Sequence, residues 1–249
     1  MPKNPQAAAE LLVSARREHR RITLPADLRP ADFAEAYAIQ SAVERGLGAT
    51  PVAWKVGAPD AKSTPSAAPI YEVIKSPARI EAGQFHMIGV EAEVAAVFTG
   101  DLPARDTPYS EAEVLHAVQE LRVVIEVCDS RLADWQSADD ATKLCDHQLN
   151  YALVVGDAVT NPHALDYSQL VVRTLVDGKV LKEGMGTHAV GNPLRLLPWL
   201  ANHVRTRGGI RAGTIATLGA WLGLHVVEPG SEVTVEFPAL GQARVAFPK

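Results

Sequence analysis

The sequence predicts an α+β protein, a mixed β-sandwich or roll with helices at its N-terminal end and a further helix packed on the sheet. Two observations carry this. Helical spacing dominates residues 5–45, whereas short apolar or alternating runs separated by Asp-Gly, Pro-Gly and Leu-Gly turns dominate the second half. Helices in front and antiparallel strands behind are the order of a segregated α+β domain. A third observation is negative: there is no internal repeat and no low-complexity tract. At 249 residues the chain can bury a real core. The expected division is a helical segment over 1–60 and a β-rich catalytic domain over 61–249, joined as one continuous unit.

Each element has its own local cause. Residues 5–20 and 31–45 read as helices, the second with Phe33, Tyr37 and Val43 near one stripe and a stop at Gly46. Leu24-Pro25 and Arg29-Pro30 break the chain between them. VAWKVG (52–57) reads as a short strand, and DAKSTPSAAPI (60–70) as a mobile loop rich in Ser, Ala and Pro. Ser110 and Glu113 have capping-box spacing and open a helix with Val114, Leu115, Val118 and Leu121 inward. RVVIEV (122–127) follows as a strand. Asp177-Gly178 between β-rich arms predicts a hairpin. Residues 191–209 form a helix with Asn192 as N-cap, Pro193 at its first position, Pro198 in its early turns and Gly208-Gly209 as its stop. TIATLGAWLGLHVV, SEVTVEF and QARVAF then read as strands.

Composition narrows the function. Hydrophobic residues make up 47% and charged residues 21%, the balance of a globular chain rather than a disordered one. A net charge of −5 argues against a nucleic-acid partner. No run approaches the ~18 apolar residues that span a bilayer, which argues against membrane insertion. MPKNPQAAAELLVSARREHR lacks the apolar core of a signal peptide. Cys128 and Cys145 fit a reduced compartment better than a disulfide scaffold. The expectation is a cytoplasmic protein.

The chemistry starts at VEAEVAAVF (90–98). In a strand, Glu91, Glu93, Ala95 and Val97 share one face, and Val90, Ala92, Val94, Ala96 and Phe98 the other. Two like charges on a largely apolar face need a proton or a cation. The run is therefore either an edge strand with one wet face or part of a metal site. Glu126, inside the apolar run VVIEV, needs a partner for the same reason. One reading pairs it with Arg131 in a buried ion pair. The other joins it to Glu91 and Glu93 as three oxygen ligands, a set that suits Mg²⁺ or Mn²⁺.

These residues lie in a wider pattern. AYAIQSAV (36–43), WKVG (54–57), VEAEVAAVF with GDLP, IEVCDSR (125–131), LNYALVVG (149–156), HAVGNPLRLLPWLAN (188–202) and the C-terminal RAGTIATLGAW onward resemble the 2-keto-4-pentenoate hydratase and 4-oxalocrotonate decarboxylase branch of the fumarylacetoacetate hydrolase superfamily. The resemblance runs from about Tyr37 to the C-terminus. It implies a fumarylacetoacetate hydrolase-like fold in which Glu91, Glu93 and Glu126 hold the divalent metal and Lys55 reaches the substrate. It also implies a small 2-oxo or 2-hydroxydienoic acid as substrate and a homo-oligomer. Hydration of a 2-hydroxypenta-2,4-dienoate-like compound is the first expectation. Decarboxylation, acylpyruvate C–C hydrolysis with Asp146 and His147 as the base, and a non-catalytic family member are the alternatives.

Asp129, Arg131, His147, Leu149, Asn150 and Leu218 are the candidate substrate-lining positions. The chain departs from the family at some of them. Asp146-His147-Gln148-Leu149-Asn150 has leucine where the family carries serine, and Leu218-Gly219-Ala220 replaces a Thr-Gly-Ser turn. Ile70-Tyr71-Glu72 stands for the usual Asp-Tyr-Gly. Lost hydroxyls suit a bulkier or less polar substrate.

Overall fold

The computed structural model describes residues 4–249. Helix α1 (Pro5–Arg17) is capped by Asn4, and α2 (Phe33–Leu47) by Asp32. α1 stops at Arg17 rather than residue 20, because the chain turns at His19 with φ 47°. α2 ends through Gly48, whose φ of 64° is the left-handed conformation glycine adopts at helix ends. Their inward faces, Ala8, Leu12, Ile39 and Val43 among them, form a core of their own with Leu132 and Leu144. The helical layer thus draws on residues far along the chain.

The strands are β1 (Ala53–Gly57), β2 (Ser66–Ile70), β3 (Val73–Lys75), β4 (Ala78–Arg79), β5 (Ile88–Phe98), β6 (Leu102–Pro103), β7 (Val118–Cys128) and β8 (Asn150–Thr160). They continue with β9 (Val171–Val176), β10 (Lys179–Met185), β11 (Gly209–Ile210), β12 (Ile215–Thr217), β13 (His225–Val227), β14 (Glu232–Phe237) and β15 (Gly241–Ala246). Three helices lie between them: α3 (Glu111–His116), α4 (Asp140–Cys145) and α5 (Leu197–Val204). One eight-stranded sheet runs β2-β1-β12-β5-β7-β8-β3, with β13 also on β5, and a five-stranded sheet runs β10-β9-β14-β15-β4. Both sheets contribute to the main core, which takes Val94, Phe98, Val123 and Ile125 from the first and Val233, Val235 and Val245 from the second. The result is the mixed α+β sandwich expected from the sequence.

Four elements differ from expectation. Part of the supposed 60–70 loop is β2, paired in register with β1 from Gly57↔Ser66 to Ala53↔Ile70. Its small side chains Ala67 and Ala68 are fully buried, and Pro69 is tolerated because β2 is an edge strand. α3 keeps its capping box but ends at His116, so Val118 and Leu121 belong to β7, where Val118 pairs with Phe98. The 191–209 helix opens as a 3₁₀ turn over Pro193–Leu196 before α5. The single strand expected over TIATLGAWLGLHVV divides into β12 and β13, both on β5, with Gly219 (φ 100°) and Gly223 (φ 75°) between them. That interruption serves the site described next.

Candidate metal and substrate site

β5 is not an edge strand: β12 and β13 flank one side and β7 the other. Its two faces have separate fates. Val90, Ala92, Val94, Ala96 and Phe98 all enter the main core. Glu91 and Glu93 emerge on the opposite face, where the antiparallel register sets Glu91 directly across from Glu126. Glu93 lies one step along and diagonal to Glu126, within side-chain reach. The register therefore brings the three carboxyls together.

Among the described residues, one cation answers them. Lys55 on β1 places Nζ 2.6 Å from Glu126 Oε1 and donates to the Gln148 carbonyl at 3.0 Å. The Asn150 amide donates to the same Glu126 oxygen at 3.0 Å, while Glu126 Oε2 is buried without a hydrogen-bond partner. Glu93 Oε2 accepts from the Thr217 hydroxyl and, at 2.9 Å, from the Gly219 amide. The break after β12 is what frees that amide, since in a continuous strand it would be spent on the sheet. The Arg131 pairing that was one of the two readings of Glu126 does not form. Arg131 Nε instead lies 2.6 Å from Asp146 Oδ1, so Lys55 is the partner of Glu126.

The electrostatics follow from three acids and one base. Burial alone would lower the Lys55 pKa, but Glu126 and then Glu91 outweigh it and hold the ammonium charged far above its usual range. Burial pushes Glu91 up to about 7 against the pull of Lys55. Burial and then the charges of Glu126 and Glu91 push Glu93 well above the carboxylate range. Without a metal ion, the chain accommodates this face by keeping protons on it. That response, together with the unpartnered Glu126 oxygen, is what a donor set fitted to a divalent cation shows when only one ammonium neutralises it.

A cavity of about 590 Å³ opens over these groups. Lys55, Glu91 and Glu93 lie on its floor, and Phe33 of α2 with Asp140 and Lys143 of α4 contribute to its wall. Gln148, Leu149, Gly219 and Ala220 complete the lining near the acids. Of the candidate substrate-lining positions, Leu149 faces this cavity and Asn150 supports Glu126 beneath it. Leu218 is fully buried in the main core and does not line the cavity. Its carbonyl accepts from the His188 ring, and its successors Gly219 and Ala220 form the wall in its place. Asp129 and Arg131 line a separate cavity of about 290 Å³ with Arg16, Tyr71 and His86. Asp129 accepts from the His86, Met87 and Ser130 amides. His147 is buried with both ring nitrogens unpartnered among the described residues, and burial drives its pKa well below the usual value.

Thr217, Gly219 and Gln148 were not anticipated as site residues. Thr217 and Gly219 come together through β12–β5 pairing, which no local pattern announces. Gln148 sits in a run of left-handed residues, His147 (φ 55°), Gln148 (φ 53°) and Leu149 (φ 65°), without the glycine or asparagine that signals such a turn. That loop turns the Gln148 carbonyl toward Lys55, and the Gln148 amide reaches Ser66 at 2.5 Å.

Residues 39–247 match the family described as fumarylacetoacetate (FAA) hydrolase, C-terminal. A 2-keto-4-pentenoate hydratase of Paraburkholderia phymatum is 32% identical over 159 residues, 64% of this chain and 60% of that protein. A 4-oxalocrotonate decarboxylase of Pseudomonas putida is 29% identical over 159 residues, 64% of this chain and 59% of that protein. The aligned region thus spans about 60% of the length of these relatives. Among solved structures, the 4-oxalocrotonate decarboxylase from Pseudomonas putida G7, complexed with magnesium and adipate, superposes with a TM-score of 0.83 at 24% identity. The superposition covers 98% of this chain and 97% of that one. A 2-hydroxyhepta-2,4-diene-1,7-dioate isomerase from Mycobacterium marinum shares the fold more distantly, with a TM-score of 0.57, 18% identity and coverage of 80% and 76%.

Proposed function

The chain belongs to the fumarylacetoacetate hydrolase family, and from that premise we propose that it is a divalent-metal-dependent lyase acting on small 2-oxo or 2-hydroxydienoic acids. Hydration of a 2-hydroxypenta-2,4-dienoate-like compound is the leading reaction. The observation that carries the proposal is the surplus of carboxyls over Lys55, with Glu91, Glu93 and Lys55 lining a cavity and Glu126 fully buried behind them. Glu91, Glu93 and Glu126 would hold Mg²⁺ or Mn²⁺, which supplies a Lewis acid for the carboxylate and 2-oxygen of the substrate.

The chain's own groups do the rest. Lys55, already bonded to Glu126 Oε1 and the Gln148 carbonyl, is placed to orient the substrate carboxylate or to pass a proton to the dienoate carbon chain. Thr217 and the Gly219 amide fix the Glu93 carboxyl in place, and Asn150 does the same for Glu126. Phe33, Leu149 and Ala220 present an apolar wall to the hydrocarbon end of a substrate. The same cavity carries Lys143, Ser63 and Thr64, so its lining can also receive a polar end.

Decarboxylation is the second reading, supported by the 4-oxalocrotonate decarboxylase relative. The hydrolase alternative finds less support. Asp146 is committed to Arg131 and Ser130, and His147 does not line the cavity. The same proposal includes a cytoplasmic setting and a homo-oligomer. For the latter, β10 exposes Val180, Leu181 and Met185 on an edge strand, a surface that association would cover.

The test is an ultraviolet assay of several 2-hydroxydienoates with Mg²⁺ or Mn²⁺, with CO₂ release followed in parallel. Metal-dependent loss of the dienoate band without CO₂ is the expected result. A Lys55→Ala variant should bind metal as before while turnover falls by about 10²–10⁴. No turnover of any dienoate, together with no metal-induced stabilisation, would leave a non-catalytic family member.

A further inference from the structure

Cys128 follows Glu126 by two positions on β7, so both side chains project from the same face. Across the sheet stands Gly89, and a Cβ there would come within 2.9 Å of the Cys128 Cβ. The glycine therefore leaves room for the thiol. Cys128 Sγ lies 3.7 Å from Glu91 Oε2. One ligand atom each from Glu91, Glu126 and Cys128 all lie within 4.8 Å of one another. Glu93 is drawn to the other side by Thr217 and Gly219. Glu126 Oε2 is fully buried and has no hydrogen-bond partner among the described residues.

From this geometry we propose that Glu91, Glu126 and Cys128 form a site for a thiophilic divalent cation of the Zn²⁺ and Cd²⁺ class, overlapping the hard-ion site through the two shared carboxylates. The inference rests on the reading of those carboxylates as metal ligands. Magnesium is held by oxygen donors and gains nothing from sulfur, whereas thiolate sulfur selects softer ions. Zinc takes Cys sulfur at ~2.3 Å and carboxylate oxygen at ~2.0–2.2 Å, so small side-chain rotations close the cluster around it. As the metal bonds form, the thiol proton and any proton still on Glu91 leave to solvent. Two carboxylates and a thiolate then face a divalent ion and the Lys55 ammonium, and the charges cancel while Glu93 remains a neutral acid. Since Glu91 and Glu126 serve both modes, the soft ion excludes the hard one. Zinc-class ions are thereby predicted to be competitive inhibitors of a magnesium- or manganese-supported activity.

Cadmium titration followed by the thiolate-to-metal charge-transfer band in the ultraviolet tests this without any substrate. Wild-type protein should develop the band to saturation at one ion per chain. Cys128→Val, close in volume, should lose it, as should Cys128→Ala if the valine variant folds poorly. Cys145→Ser should keep it, because Cys145 sits in the helical core. Calorimetry should show Zn²⁺ affinity falling in Cys128→Val by at least roughly tenfold, the floor for losing even an outer-shell partner. Mn²⁺ affinity should stay unchanged. A band that is absent in the wild type, or that persists without Cys128, overturns the inference. Normal Mn²⁺ binding with no cadmium band sinks this proposal alone. If neither ion binds, the underlying metal-site reading fails with it.

Discussion

Two buried ionic centres sit a few residues apart along the chain and are built on opposite plans. At the first, Arg131 and Asp146 are 6% and 4% exposed and meet one to one. Asp146 accepts from the Arg131 Nε and amide and from the Ser130 hydroxyl, while Arg131 Nη2 reaches the Asp146 and Asn150 carbonyls. Charge and hydrogen bonds are both closed there. At the second, three carboxyls face one ammonium, one oxygen has no partner, and a cavity lies above. The closed centre is satisfied by the fold itself, although Arg131 also borders the smaller cavity. The open one keeps surplus carboxyls beside a cavity, the arrangement that the proposed metal would complete.

The largest effect expected from this difference is at the closed centre. Asp146→Ala strands the Arg131 guanidinium in the interior, and urea denaturation should show a loss of about 3–5 kcal/mol. Metal-induced stabilisation, measured on whatever folds, should persist. A loss below about 1 kcal/mol would mean the pair is not closed in solution.

Glu126→Gln makes the same kind of cut at the open centre and should read differently. Glu91 and Glu93 still face Lys55, so metal-free stability should change by no more than about 1 kcal/mol. What should vanish is the response to Mn²⁺, which for wild type amounts to about 2.7 kcal/mol at a hundredfold excess over Kd. A much weaker metal-free protein that still responds to Mn²⁺ would make Glu126 a structural partner of Lys55 and nothing more.

The contrast was only half legible in the sequence. Period-two alternation in VEAEVAAVF assigned Glu91 and Glu93 to the face opposite Val90 and Val94, which is where they lie. Alternation fixes faces within a strand, but the pairing Glu91↔Glu126 is a matter of register between strands, and nothing local encodes it. For the same reason Arg131, five residues beyond Glu126, stood as one of its two candidate partners. A loop of left-handed residues brings Asp146 back to Arg131 instead. Cys128 was legible in principle, since its i+2 spacing from Glu126 puts both on one face. A cysteine just after a strand is more often a small buried hydrophobe, so the spacing alone did not single it out. SAAPI resembled a loop because strand propensity is weak for Ala and Pro, and pairing with β1 overrode it.

The two centres should also answer pH in opposite senses. Glu91 keeps its proton up to about 7 in the fold but loses it near 4.5 when unfolded. Between those values the unfolded chain releases a proton that the fold retains, so stability falls as pH rises and levels off above 7. The ceiling is about 1.4 kcal/mol per pH unit per carboxyl, and less for Glu91 because it is partly exposed. Glu93 acts in the same sense. Beside the closed centre, His147 is held neutral by burial, with Arg16 and Arg131 adding to the effect. Below about 6.5 the unfolded chain takes up a proton that the fold refuses, so stability falls as pH drops. In metal-free protein, Glu91→Gln should flatten the first slope and His147→Gln the second. Saturating Mn²⁺ should abolish only the first. Identical profiles for wild type and Glu91→Gln would count against a protonated acid face.

The smallest effect concerns the loop that joins the two centres. Leu149 carries φ 65° and faces the cavity half-buried, so its backbone is strained while its side chain is wall rather than core. Asparagine accepts the left-handed conformation more readily than leucine, which recovers of order 1 kcal/mol. Losing a half-exposed leucine surface costs a similar amount. Leu149→Asn should therefore leave stability within about 1 kcal/mol of wild type. Its effect should appear in the cavity, as a raised KM for dienoates with an apolar tail and little change in kcat. Destabilisation beyond about 2 kcal/mol would show that Leu149 packs as core, and the apolar wall would then have to be drawn from Phe33 and Ala220 alone.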